Sequence, residues 1–293
     1  MISFRPELVR RQTIVERYLE KLFVEKSNYH ILLDAMRYSL LAGGKRLRPV
    51  LVMSFSEAVG GPVEEVLPAA CAIELVHTYS LIHDDLPCMD NDDYRRGKLT
   101  CHKMYGDDIA TLAGDALQAA AFRLLAEQPG DPAKILRCVH ILAQGAGEDG
   151  MVAGQILDLQ GEKRTLDETE LREVHAHKTG DLIRAACQMG AVLGGGSEAQ
   201  IQAAGEFAMA LGMAFQIRDD MLDEIGSRGQ LGKPIGSDSA NGKSTFATIH
   251  GIQECQKLVE KETDKAITAL DQGGFLTTEF IKTLSELLVS RNH

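Results

Sequence analysis

The sequence predicts an all-α fold, a single-domain bundle of long helices, on three observations. Alternating β-branched runs are missing, while Ala, Leu, Glu, Gln, Lys and Met fill long windows of helical period. The interruptions carry Gly and Pro, at Gly60-Gly61-Pro62, Gln128-Pro129-Gly130, Gly194-Gly195-Gly196 and between Gly226 and Gly236. No linker long or biased enough to separate domains interrupts the 293 residues, so one domain over 1–293 is the economical reading.

The elements follow in order. Helices are predicted at 12–28, 30–42 and 46–59, the last stopped by Gly60-Gly61-Pro62. The next, 64–86, ends before Pro87, and 104–127 ends at the Pro129-Gly130 turn. Shorter helices at 132–146 and 150–160 precede one at 167–193, opened by Asp167-Glu-Thr-Glu. Ser197-Glu-Ala-Gln fits a capping box and opens 197–225; helices at 243–269 and 275–290 complete the chain. The 64–86 and 197–225 segments are apolar on most of their circumference, which places them in the middle of a bundle.

Hydrophobic residues make up 44% and charged residues 25%, the profile of a globular protein with a sizeable core. With 31 basic and 42 acidic residues the net charge is −11, which argues against nucleic acid or an anionic membrane as partner. The six cysteines are scattered without zinc-ligand spacing and read as incidental thiols of a reducing compartment. MISFRPELVRR lacks the apolar core of a signal peptide, and no apolar run is expected to reach the length of a membrane span. A cytoplasmic protein is expected.

Both apolar segments end in aspartates. HDDLPCMDNDD (His83 to Asp93) closes the first and FQIRDDMLDE (Phe215 to Glu224) the second. Two like charges about 4 Å apart repel by roughly 4 kcal/mol at an effective dielectric near 20, so such clusters need relief. Asp219 and Asp223 are i and i+4 and share a helical face. Asp84 and Asp90 would point about 120° apart on an unbroken helix. Pro87 is therefore expected to end or distort the helix and let the chain bring Asp90 back to Asp84. One acidic run alone is usually a solvated face; two, each capping an apolar helix, favour a ligand. Carboxylates without His or Cys suit Mg²⁺, which takes few carboxylates together with substrate phosphates. The matching cations are Lys45, Arg46 and Arg48 in GGKRLRP, Arg95 and Arg96 after the first cluster, Lys178 in KTG, and Lys233 and Lys243 in LGKPIGSDSANGKST. NGKST is not the end of a P-loop, because Gly236 and Gly242 are spaced wrongly and no strand precedes them.

These motifs together resemble the trans-isoprenyl diphosphate synthases, most closely the short-chain, bacterial-type farnesyl diphosphate synthases. The likeness runs from about Tyr29 to the C-terminus and includes GGKRLRP, ELVHTYSLIHDDLPCMDNDDYRRG, AGDAL, GQILDL, HKTGDLI, FQIRDDMLD and GKPIGSDSANGKST. It implies the type I isoprenoid synthase fold, helices around a deep central cavity with the aspartate motifs at its mouth, and a homodimer. It implies that Asp84, Asp90 and Asp219 bind three Mg²⁺ ions, with Asp85, Asp220 and Asp223 binding metal or supporting that shell. Arg95, Lys178, Lys233 and Lys243 would contact the allylic diphosphate, and Lys45, Arg48, His77 and Arg96 would contact isopentenyl diphosphate. Thr179 and Gln216 would stabilise an allylic cation. Tyr79, with Ser80 one turn before Asp84, would limit chain growth at C15, although the same acidic motif also occurs in C20 synthases.

Some positions depart from the family pattern. Leu99 stands where Pro commonly follows RRGK, Asp181 adds an acid beside Lys178, and Arg291 is a single C-terminal cation. A class I terpene cyclase would carry a different second motif in place of RDDMLDE. A metal phosphohydrolase built on His83-Asp84 would need further His ligands.

Overall fold

The computed structural model describes residues 4–25, 27–225 and 244–290. It is almost entirely helical and divides into two compact units, residues 1–53 with 62–139, and residues 54–61 with 140–293.

The first unit holds α1 (Phe4–Leu19), α2 (His30–Leu40), α4 (Leu67–Asp84), α5 (Cys101–Tyr105) and α6 (Asp107–Ala126). It also holds the starts of α3 (Leu47–Ala58) and α7 (Pro132–Ala146). Helix α1 begins at Phe4 rather than at 12, because its buried stripe opens with charged residues. Glu7 and Arg11, bonded at 2.8 Å, continue the face completed by Val15 and Leu19. Hydrophobic period cannot see such a pair. The helix ends before the predicted 28: Phe23 is left-handed (φ 59°), and the Arg37 guanidinium donates to the Glu20 carbonyl at 2.9 Å.

Helix α4 is the buried rod that its composition predicts, with every residue from Ala69 to Val76 buried. Pro68 sits in its first turn, and the Gln128 side-chain oxygen accepts the Ala69 N–H at 2.8 Å. Helix α6 packs on α4 and α2. The predicted 104–127 helix is cut at Gly106 (φ 92°), which separates α5 from α6. Contrary to expectation, α6 is long and apolar enough by length and composition to cross a membrane. Its hydropathy comes from many alanines rather than from a run of large side chains, and Ala110, Ala113, Leu117, Ala121 and Leu125 are buried.

A two-stranded hairpin, β1 (Tyr94–Arg95) with β2 (Lys98–Leu99), follows the first acidic motif and was not foreseen. Arg96 and Gly97 turn it with positive φ at both positions (53° and 75°), the geometry of a type I′ turn.

The second unit contains α8 (Met151–Gly161), α9 (Glu168–His175), α10 (Asp181–Gly194), α11 (Glu198–Ile225), α12 (Phe246–His250), α13 (Ile252–Gln272) and α14 (Glu279–Val289). Both start signals hold. Asp167 Oδ1 accepts the Glu170 N–H at 2.9 Å while Glu170 accepts the Asp167 N–H at 3.0 Å. Ser197 and Gln200 exchange the same pair of bonds. Phe55, Phe207 and Phe275 form an aromatic knot with centroids 5.3 and 5.6 Å apart. The predicted 167–193 helix is broken by a π-turn at Ala176–Gly180, where HKTG lies. The predicted 243–269 helix is split by Gly251 (φ 75°).

Candidate active site

At the end of α4 the chain folds back as expected. The Asp90 N–H donates to the Asp84 carbonyl at 2.8 Å, and the N–H groups of Leu86 and Asn91 bond to His83 and Leu86 carbonyls. Pro87 and a left-handed Asn91 (φ 52°) produce the reversal. Asp84 is half-buried and Asp90 exposed. Asp85 is buried and forked by Arg95, whose Nε lies 2.8 and 2.9 Å from the two carboxylate oxygens and whose Nη2 lies 2.6 Å from Oδ1. His83 directs Nε2 at the Thr111 carbonyl (3.0 Å), which leaves the His-Asp metal-pair reading without support. A Cβ at Gly114, in AGDAL, would lie 2.1 Å from that Nε2, so the glycine is what admits the ring.

The first unit also gathers cations. Arg46, offered as a phosphate ligand by its place in GGKRLRP, is buried and held by Glu74 (2.8 Å), Glu16 (2.6 Å) and the Leu40 carbonyl (2.7 Å). It is a structural residue with left-handed backbone (φ 47°). Arg48 differs: its Nε is buried and has no hydrogen-bond partner among the described residues. Burial, with Arg96 nearby, pushes its pKa down to about 10 against the attraction of Glu74. Burial and then Arg48, Arg96 and Arg95 hold His77 well below the usual imidazole range. Arg96 reaches the Gly43 carbonyl. Lys45 is exposed. Burial is the main penalty on the charges of Arg48, Arg96 and His77, and an anionic ligand among them would offset it.

The second unit builds a cavity of ~130 Å³ whose lining includes Asp158, His175, Lys178, Thr179, Gln216, Asp220 and Thr245. The structure thus brings Lys178, Thr179, Gln216 and Asp220 together. Lys178 Nζ lies 2.5 Å from Asp158 Oδ2. The π-turn is seated on glycines: a Cβ at Gly154 would lie 2.1 Å from the Lys178 nitrogen, and one at Gly212 would lie 3.2 Å from the Gly180 Cα. Asp220 is buried, and its Oδ2 accepts the Phe246 N–H at 2.8 Å. That bond anchors the start of α12, and His175 Nε2 lies 3.8 Å from the same oxygen. Asp219 and Asp223 are half-buried on α11. Asp181 is tied to His177 and Arg184 rather than to Lys178. Lys233, Lys243 and Arg291 lie outside the described residues.

Tyr79 is 5% exposed and packs edge-on against His83, its i+4 neighbour, at 5.8 Å. Burial pushes its phenol pKa up. Ser80 is half-buried and donates to the His77 carbonyl (2.9 Å). Sequence reasoning singled out neither Asp158 nor Gly154, nor Glu74. The available signal was a lone acid in an otherwise apolar helical stretch, at Asp158 in GQILDL and at Glu74 in CAIELV.

An all-α frame with acid-tipped buried helices, one cluster of poorly neutralised cations and one lysine-bearing polar cavity defines the type I isoprenoid synthase fold. The polyprenyl synthetase family profile matches residues 29–274. A farnesyl diphosphate synthase of Geobacillus stearothermophilus is 43% identical over 285 residues, covering 96% of this chain and 94% of that one. Geranylgeranyl pyrophosphate synthase 4 of Arabidopsis thaliana is 41% identical over 99% of this chain and 79% of its own. The crystal structure of a geranylgeranyl pyrophosphate synthetase from Pyrococcus horikoshii superposes with a TM-score of 0.90 at 31% identity, covering 98% of each chain. The chain belongs to the polyprenyl synthetase family and is a short-chain trans-prenyltransferase.

Proposed function

We propose that this chain condenses isopentenyl diphosphate with dimethylallyl or geranyl diphosphate, and that farnesyl diphosphate is its main product. The observation that carries the chemistry is the convergence of Lys178, Thr179, Gln216 and Asp220 on one cavity. Lys178 grips the allylic diphosphate. The Thr179 hydroxyl and the Gln216 carbonyl oxygen face the carbocation formed as the allylic C–O bond breaks, and stabilise it without bonding to it. The isopentenyl double bond then attacks, and the proton lost from the adduct passes to a pyrophosphate oxygen. Arg48, His77, Arg96 and Lys45 hold isopentenyl diphosphate, which supplies the negative charge that Arg48 and His77 favour.

The acidic residues suit Mg²⁺. Their donors are all oxygens, and the Asp90-to-Asp84 backbone bond sets those two carboxylates at one helix end. Among the described residues no three His, Cys, Asp or Glu side chains are grouped tightly enough to hold a metal alone. That suits an ion taking substrate phosphates as ligands. Asp84 and Asp90 in the first unit, and Asp219 with Asp223 in the second, would bind Mg²⁺, three ions in all, and the ions would neutralise the departing pyrophosphate. Asp85 and Asp220 support this set from behind through Arg95 and Phe246.

The C15 product rests on Tyr79, a buried aromatic one position before Ser80 at the level below Asp84. A C20 product is the second reading, because synthases named for C15 and C20 products match at similar identity. The chain acts as a homodimer in the cytoplasm. The apolar helix α6, which leaves Leu112 54% exposed, supports the dimer, and six cysteines of which five are buried support a reducing compartment. Labelled isopentenyl diphosphate with each allylic substrate, with and without EDTA, tests the proposal. A C15 product that vanishes with EDTA is expected. A C20 product sinks the chain-length reading, and activity in EDTA sinks the metal reading. Light scattering reads the dimer.

A further inference from the structure

Asp181 is an acid beside a lysine that binds an anion, and its carboxylate is 1% exposed. One oxygen lies 2.8 Å from His177 Nδ1 and the other 2.9 Å from Arg184 Nη2. A carboxylate only accepts, so Nδ1 of His177 carries the proton. His177 and Asp181 flank Lys178, Thr179 and Gly180, so their bond runs from one end of the π-turn to the other. A π-turn carries one residue more than the α-helical ladder allows and persists only where its surroundings fix it. Three glycines fix its backbone. Gly154 of α8 meets Lys178, Gly212 of α11 meets Gly180, and a Cβ at Gly145 of α7 would lie 3.0 Å from the Asp181 carbonyl oxygen.

We infer that Asp181 is a positioning residue, clipping the π-turn through His177 and Arg184 so that Lys178 and Thr179 keep their orientation toward the cavity. Arg184 neutralises the clip, which is why an acid next to Lys178 does not repel the diphosphate that Lys178 binds. Lys178 has its own partner, Asp158, on the cavity side. Two carboxylates therefore flank one lysine with separate tasks: Asp158 meets its ammonium, and Asp181 holds its backbone.

This inference rests on the reading that Lys178 grips the allylic diphosphate, and the experiment separates the two. Steady-state constants are measured for each substrate with the wild type, Lys178→Ala, Asp181→Asn, His177→Ala and His177→Asn. Asparagine places an N–H near the Nδ1 position of histidine and can rebuild the clip. We expect the allylic KM of Asp181→Asn and His177→Ala to rise about 10-fold, the range of a lost charge-assisted hydrogen bond. The KM for isopentenyl diphosphate should stay within about twofold, and His177→Asn should recover most of the loss. A general loss of stability would lower activity without separating the two KM values. His177 is half-exposed, so its variants fold even where Asp181→Asn does not. If Lys178→Ala raises the allylic KM while the His177 and Asp181 variants leave it unchanged, the positioning role is overturned. If Lys178→Ala itself leaves it unchanged, the diphosphate reading fails and the inference falls with it.

Discussion

Replacing Gly154 by alanine adds one methyl group where α8 meets the π-turn. That carbon would lie 2.1 Å from the Lys178 nitrogen and 2.5 Å from its Cα. Carbon atoms pack at about 3.5–4.0 Å, so the two backbones must separate by roughly 1 Å. Neither contact is the end of a flexible side chain, so no rotamer change relieves it. Overpacking of this kind costs about 1–3 kcal/mol, or roughly 2–4 °C of melting temperature per kcal/mol in a large domain. The kinetic effect is larger, because displacing a reacting or binding group by about 1 Å costs on the order of 100-fold. Initial rates of labelled isopentenyl diphosphate incorporation at varied allylic substrate, run beside thermal melts, read both quantities. We expect kcat/KM for the allylic substrate to fall about 100-fold while the protein stays folded at assay temperature. Gly274→Ala is the control. It strains a left-handed turn (φ 68°) with open space around the new methyl group, so it should cost about 1 kcal/mol with no kinetic change. Wild-type kinetics and melting in Gly154→Ala would refute the argument that the glycine sets the position of Lys178.

Three further outcomes are expected. Tyr79→Ala and the better volume match Tyr79→Met should shift product toward C20, read by chromatography of the dephosphorylated alcohols; an unchanged C15 profile in both removes Tyr79 as the floor. Arg48→Met should raise the melting temperature while raising the KM for isopentenyl diphosphate at least about 10-fold. Burial holds the folded pKa of Arg48 at about 10, below the ordinary guanidinium range, so its charge opposes folding below pH 10, by on the order of 3 kcal/mol, and that cost fades as pH rises above this value. An unchanged or lower melting temperature would count against it. The Arg10 hydrogen bonds, helped by Arg11 and opposed by burial, hold Glu7 at about 2, down from 4.5. Its contribution is full above 4.5 and lost as pH falls through about 2. Glu7→Gln should therefore cost about 2 kcal/mol in urea unfolding at pH 7 and much less near pH 2; equal costs at both pH values would contradict it.

Local chemistry accounts for what was legible in the sequence. The Asp167 and Ser197 boxes are satisfied within four residues, so their helix starts could be read directly. Pro87 announces the return of Asp90 for the same reason. What escaped depends on partners distant in the chain. Arg46 and Arg48 sit two residues apart in one motif, yet Glu74 pairs with one while the other keeps a buried Nε with no described partner. The start of α1 was missed because an ion pair occupies its apolar stripe. The helical period runs through Lys178-Thr179-Gly180 without showing the π-turn, since three glycines on three other helices create the space that permits it. Asp181 looked like a liability until Arg184, one turn on, supplied its counter-charge.

The His83 ring over Gly114 has a consequence for how the two motifs vary among relatives. A methyl group at 114 would collide with the ring at 2.1 Å, so the first residue of the acidic motif and the glycine of AGDAL are not independent choices. Lineages that enlarge position 114 should carry a smaller residue at 83, and those that keep histidine should keep glycine. In a deep set of relatives the pair should appear as a correlated substitution across 31 positions of chain, a signature of α4 against α6. Swapping either motif alone between distant relatives should fail where exchanging both together succeeds.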